Sequence, residues 1–190
     1  MILYIMCSLF TLFPCYAPVH VPEPVQVVTY TQVQEQGYWG IGQPWVGLTE
    51  DDEGVCPGYG MPQGSGARPG LLFPVPGGVV NERRPFSVKH TGVDIIAPTG
   101  SAVLAPASGV VIWAGWSTWG FGETVAIAHG GGWYSLLFHL SEVHVACGQS
   151  VGQGSMVGKV GETGNVSVGY SHLHFELRNG GYAYSPLQGE

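Results

Sequence analysis

The sequence predicts an all-β, antiparallel domain over residues 71–190, and three observations carry that expectation. Glycine and proline number 31 and 14 among 190 residues, so breakers leave little room for long helices. From about Leu71 onward, short β-branched runs recur between Gly and Pro turns. No stretch carries a 3.6-residue apolar stripe. Collagen is excluded because no Gly-X-Y period exists. Global disorder is excluded because 45% of residues are hydrophobic and only 10% are charged.

At the N-terminus, MILYIMCSLFTLFPCYA is an apolar leader. It is shorter than the ~20 residues a bilayer span takes, yet suited to a signal peptide cleaved after Ala17. No Lys or Arg precedes Arg68, so the usual positive start is missing, and an uncleaved anchor or a buried strand stays open. Cleavage would remove Cys7 and Cys15. Cys56 and Cys147 would then suit one disulfide in an exported protein, or remain two unrelated buried thiols. No CxxC occurs to suggest a cysteine zinc site.

Residues 18–70 read as a flexible Pro/Gly-rich linker. Val25, Val27 and Val28 suggest a short edge strand within it. Glu50-Asp51-Asp52-Glu53 suggests a solvated turn. Trp39 and Trp45 are expected to fold back on the domain or tack the segment down, rather than to hold a carbohydrate or partner.

In the domain, the expected strands are Val93–Ile96, Val103–Ala105, Gly109–Ala114, Thr124–His129, Trp133–Leu140, Ser150–Val151 and Ser171–Leu177. TGSAVLAPASGVV and CGQSVGQGSMVGKV share a G-x-x-V cadence, which suggests two related hairpins. The formal charge is −7 and no basic stripe exists, so nucleic acid is excluded as a partner.

The histidines carry the chemistry. His90 and Asp94 are four apart, which puts them on one face of a strand, and a turn at Gly92 would bring them closer. His172 and His174 are two apart, so strand alternation projects both to one side, with Leu173 and Phe175 opposite. Two imidazoles, one carboxylate and a water form a recurrent catalytic metal set. Either motif alone has a bland reading as a polar strand face; both together in one small domain favour a metal. By alternation His139 should share a face with Ser135 and Leu137, opposite Phe138. It could be a satisfied strand-end residue or an acid–base group.

In order, the chain reads LFPVPGG, HTGVDIIAPTG, APASGVV, LLFHLSEV, VACGQSVGQG, GETGN and SHLHFELRNGG. On these motifs residues 72–188 resemble the lysostaphin-type zinc metallopeptidases, the LytM-like peptidoglycan endopeptidases. The resemblance implies an open half-barrel with a groove and one Zn2+ per chain. It implies His90, Asp94 and His174 as zinc ligands, and His139 and His172 as catalytic histidines beside them. His129 matches a frequent family position that is not a ligand. The departures are Leu137 where a tyrosine is usual, Tyr170 in the turn before His172, and a short segment ahead of His90.

The implied activity is hydrolysis of peptide bonds in peptidoglycan stems or cross-bridges, outside the cytoplasm, in a cell envelope or a phage lysis setting. A monomer is expected, with membrane contact only through a retained leader. No HExxH exists, so histidine must replace the glutamate base. Its ordinary pKa of ~6.5 suits that work. Glu176 could support a ligand, although a solvent-exposed strand carboxylate is the simpler expectation. A non-catalytic binding module on the same fold is the alternative, and the intact ligand and histidine set speaks against it. A biotinyl- or lipoyl-type carrier would need Lys159 at a hairpin tip and gives HLH no role.

Overall fold

The computed structural model describes residues 64–187 apart from 88, 118, 167 and 181, together with 27–28, 56–59 and 62. The leader, Trp39, Trp45, Val25 and the acidic cluster Glu50–Glu53 lie outside the described residues.

No helix occurs among the described residues, and the strands form one antiparallel sheet that does not close. In chain order they are β1 (Val27–Val28), β2 (Val79–Val80), β3 (Val93–Ile96), β4 (Ala102–Leu104), β5 (Gly109–Ser117) and β6 (Gly122–Gly130). They continue with β7 (Trp133–Val143), β8 (Ser150–Val151), β9 (Met156–Val160), β10 (His172–Asn179) and β11 (Tyr182–Tyr184). The main path runs β1-β11-β10-β7-β6-β5-β8, with β2 and β3 attached beside β10, and β4 and β9 beside β7. Val27 and Val28 do form an edge strand, paired with β11.

The long middle strands exceed their expected lengths because their ends are polar or glycine-rich and lack the apolar signature. β9 is absent from the sequence-based expectation because Gly158 interrupts its run. A Cβ at Gly158 would stand 2.6 Å from the Glu142 carbonyl oxygen, so glycine is what lets β9 close on β7.

The two similar segments do not each fold into a hairpin. They pair with one another instead, β4 with β9 and β5 with β8. The shared cadence therefore marks two turn–strand units that interlock.

Alternation along the strands sorts side chains onto two faces. Val93, Ile95, Leu137, Leu140, Val157, Leu173 and Phe175 pack in one core. Ile112, Trp113, Ala126, Tyr134, Leu136 and Phe138 pack in a second, smaller one. A Cys56–Cys147 disulfide, spanning 91 positions, ties the chain ahead of the domain to the turn before β8. Arg68 donates to the Ser185 and Pro186 carbonyls, and the Trp133 indole donates to Gly66.

β7 changes partners midway. Up to Phe138 it pairs with β10, and from Leu140 it pairs with β9. His139 stands at that junction, in the left-handed region at φ 63°. His172 and His174 lie beside it.

Candidate metal centre

His90, Asp94, His139, His172 and His174 converge beside this junction, each no more than 5% exposed. Along β10, His172, His174, Glu176 and Arg178 alternate with Leu173, Phe175 and Leu177. Leu173 and Phe175 enter the first core, so the polar series leaves by the opposite face, as the sequence predicts. Asp94 is the direct cross-strand neighbour of His174.

His90 precedes β3 and is held by a bridge to Ser87. The chain bends at Thr91–Gly92, so a bend rather than an extended strand brings His90 onto Asp94. A Cβ at Gly92 would stand 2.5 Å from the Phe175 carbonyl oxygen and 2.8 Å from His174 Nε2. Only glycine lets the bend pass behind the His174 ring.

The three inward atoms form a tight triangle. His90 Nε2 lies 3.0 Å from Asp94 Oδ1, His174 Nδ1 lies 2.8 Å from the same oxygen, and the two nitrogens are 3.2 Å apart. Their outer nitrogens are committed elsewhere. His90 Nδ1 donates to the Pro85 carbonyl at 3.3 Å, and His174 Nε2 donates to Glu176 Oε1 at 3.2 Å. With those protons placed, two ring lone pairs face each other and Asp94 Oδ1, an arrangement that a bound cation would satisfy. Asp94 Oδ2 is buried with no hydrogen-bond partner, and its neighbouring charge is Arg84 Nη1 at 3.3 Å. Two imidazole nitrogens and a carboxylate within 4.8 Å of one another can hold a metal ion.

The electrostatics agree. Burial would raise the Asp94 carboxyl, but hydrogen bonds and charge from His174 and His90 hold it well below the usual range. Burial would lower His174, but Asp94 and Glu176 raise it. The field at this point favours positive charge.

Glu176 is fully buried, which corrects the expectation of a solvent-exposed carboxylate. It accepts from Thr91 Oγ1 at 2.7 Å, His174 Nε2 at 3.2 Å and Arg178 Nε at 2.6 Å. Burial pushes its pKa up, but Arg178 and His174 outweigh that and bring it to about 2. A carboxylate behind a ligating histidine fixes the ring and makes its inner nitrogen a better donor to a metal.

His139 does not follow the simple alternation expected of it. Its left-handed backbone resets the strand, so Leu137 and Leu140 share the first core while Phe138 lies in the second. Both Phe138 and His139 consequently approach His174, at ring distances of 5.7 and 6.3 Å. His139 N–H donates to Phe121 O at 3.0 Å and its Nδ1 donates to Thr163 O at 2.9 Å. Those bonds hold a conformation that costs about 1–2 kcal/mol in a non-glycine residue. Its ring lies 5.1 Å from that of His172, whose Nδ1 donates to Tyr170 O at 3.1 Å. Both outward Nε2 atoms therefore carry lone pairs. Burial lowers His139 to about 4 and lowers His172 as well, so both rings are neutral at neutral pH.

Thr163, Tyr170, Asn81 and Arg178 are supports in roles that no sequence pattern singles out. The first two act through backbone carbonyls. Asn81 reaches the Tyr170 hydroxyl at 2.6 Å across 89 positions, and no local spacing signals that contact. His129 lies outside the cluster, bonded to Ser108 O and Ser135 Oγ.

Comparison with known proteins places the arrangement. The chain is 38% identical over 113 residues to the cell division protein DipM of Caulobacter vibrioides, covering 57% of this chain and 18% of that protein. It is 42% identical over 98 residues to the DD-carboxypeptidase/endopeptidase Mpg of Neisseria meningitidis, covering 52% and 22%. A crystal structure from Pseudomonas aeruginosa, assigned to peptidase M23, superposes with a TM-score of 0.57 at 34% identity, over 65% of this chain and 52% of that one. The matches thus span well under two thirds of these relatives. The model for peptidase family M23 matches residues 88–186, just over half of the chain, and the chain belongs to that family.

Proposed function

We propose that the chain is a zinc-dependent metalloendopeptidase that cuts peptide bonds of bacterial peptidoglycan outside the cytoplasm. The observation that carries this reading is the triangle of His90 Nε2, Asp94 Oδ1 and His174 Nδ1, with two neutral histidines beside it. Family membership and the naming of Mpg as an endopeptidase support the reaction class. DipM, named for cell division, supports an envelope setting.

In this reading His90, Asp94 and His174 would hold the metal. Bound zinc supplies Lewis acidity, lowering a water's pKa towards ~7 and polarising the scissile carbonyl. The chain's own work is done by His139 and His172. Each is anchored through Nδ1, so each presents Nε2 as an acceptor in a fixed direction. One takes the proton of the attacking water. The other, on receiving that same proton at Nε2, donates it in a hydrogen bond to the oxyanion and then releases it to the leaving amine. Glu176 and Arg178 keep His174 in the tautomer that ligation requires.

Digestion of purified peptidoglycan of several wall types, with mass spectrometry of the fragments, tests the proposal. New amino and carboxyl termini at a stem or cross-bridge bond, abolished by chelator and restored by zinc, are expected. Intact peptidoglycan, with a partner hydrolase stimulated instead, would make the chain a non-catalytic module.

A further inference from the structure

Beside His172 lies a hydrophobic feature that neither packing nor the metal explains. On β3, Val93, Asp94 and Ile95 are buried, whereas Ile96 is 36% exposed. Ile96 and Asp94 are two apart and so share the face that bears the cluster. Across the ladder Ile96 stands directly opposite His172, and on its other side directly opposite Val79 of β2. Directly opposed residues project from the same side of a sheet. Val79, Ile96 and His172 therefore form one row, with Val79 65% exposed at its outer end. Tyr170 bounds the row. Its ring lies 5.9 Å from that of His172, and its hydroxyl is fixed by Asn81 at the end of β2.

We infer that Val79, Ile96 and the Tyr170 ring form a specificity subsite that takes an aliphatic side chain of the peptide, on a residue flanking the bond that is cut. The inference rests on the hydrolase reading and adds a substrate preference to it. Continuity with His172 decides the occupant. A peptide whose carbonyl lies over the cluster must run its neighbouring residue past Ile96. Two exposed β-branched side chains offer that residue apolar contact and no hydrogen bonds or charge. Glycine would leave the row in water, and a charged side chain would be desolvated there without a partner. One missing methylene in an apolar subsite is worth about 10–200-fold in kcat/KM, so a valine-for-glycine preference of at least about tenfold is expected.

The experiment uses zinc-loaded full chain and matched peptides that differ only by valine or glycine at each position flanking the cleaved bond. Ile96→Thr/Val79→Thr keeps β-branching at both positions while making the row polar, with one methyl lost at Ile96. In the wild type, valine should be preferred at one flanking position. In the double variant that ratio should fall close to one. Independently of turnover, the Ile96 methyl resonances should shift on titration with the valine peptide bearing a non-hydrolysable bond, and not with its glycine counterpart. Equal wild-type rates at both positions, a preference that survives the double substitution, or Ile96 methyls that do not respond would overturn the inference. Failure to cut any peptide would overturn the hydrolase reading instead, and the methyl titration would then decide the subsite alone.

Discussion

His174 and Glu176, two apart on β10 and both fully buried, share a hydrogen bond of 3.2 Å from Nε2 to Oε1. That bond fixes which nitrogen of His174 faces Asp94. It also links the candidate metal centre to a second buried charge, since Glu176 accepts from Arg178 at 2.6 Å. Glu176→Gln keeps the shape but removes the charge. Arg178 is then left buried without its counter-ion, a change that costs about 3–5 kcal/mol. Zinc affinity should fall about 10–100-fold through the loss of support to His174. Chelator competition and thermal melts read the two effects separately, and unchanged affinity would count against the role given to Glu176.

Gly92→Ala should damage the same region from behind. Its Cβ would meet the Phe175 carbonyl, the Glu176 side chain and the His174 ring, all at 2.8 Å or less. Overpacking of this kind costs about 1–3 kcal/mol. Metal binding should weaken together with stability. Gly70→Ala is the control, because a Cβ there meets nothing within 4 Å. Equal behaviour of the two variants in melting and zinc titration would contradict the close-approach argument.

The Cys56–Cys147 disulfide closes a span of 91 positions and should stabilise without taking part in chemistry. Cys56→Ser/Cys147→Ser is expected to lose about 2–5 kcal/mol in denaturant titration. Zinc stoichiometry at 25 °C should stay unchanged, because neither sulfur belongs to the metal cluster. A variant as stable as the wild type would rule out the stabilising role.

His129 supplies a pH dependence outside the candidate metal centre. Burial lowers its pKa, and the hydrogen bond to Ser108 only partly offsets this. The folded state therefore binds this proton less readily than the unfolded chain. The stability it contributes is present above the ordinary histidine range and is lost as pH falls through the lowered folded value. His129→Gln should consequently lose less stability than the wild type between pH 7 and 5. Denaturant midpoints measured across that range check the sign, and a steeper loss in the variant would reverse it.

Much of this candidate site is legible in the residues because the two histidine motifs are short and local. Alternation places His172 and His174 on one face of β10, and the four-residue spacing of His90 and Asp94 needs only the bend at Gly92. What alternation could not supply is His139, whose left-handed backbone depends on β7 exchanging β10 for β9. Nor could it supply Glu176. A carboxylate on a strand looks solvent-exposed until Arg178, two residues on, is found buried against it. β9 was hidden for a related reason, since the glycine that lets it approach β7 also interrupts its apolar run. The pairing of β4 with β9 and of β5 with β8 joins segments about fifty residues apart, which a shared cadence hints at but does not specify.

Zinc and peptide hydrolysis measured side by side on the wild type, His174→Ala and His139→Ala test the central claim most directly. One zinc per chain with hydrolysis is expected for the wild type, and loss of both for His174→Ala. His139→Ala should retain zinc while hydrolysis falls by at least about a hundredfold. Full zinc in His174→Ala, or undiminished hydrolysis in His139→Ala, would contradict it.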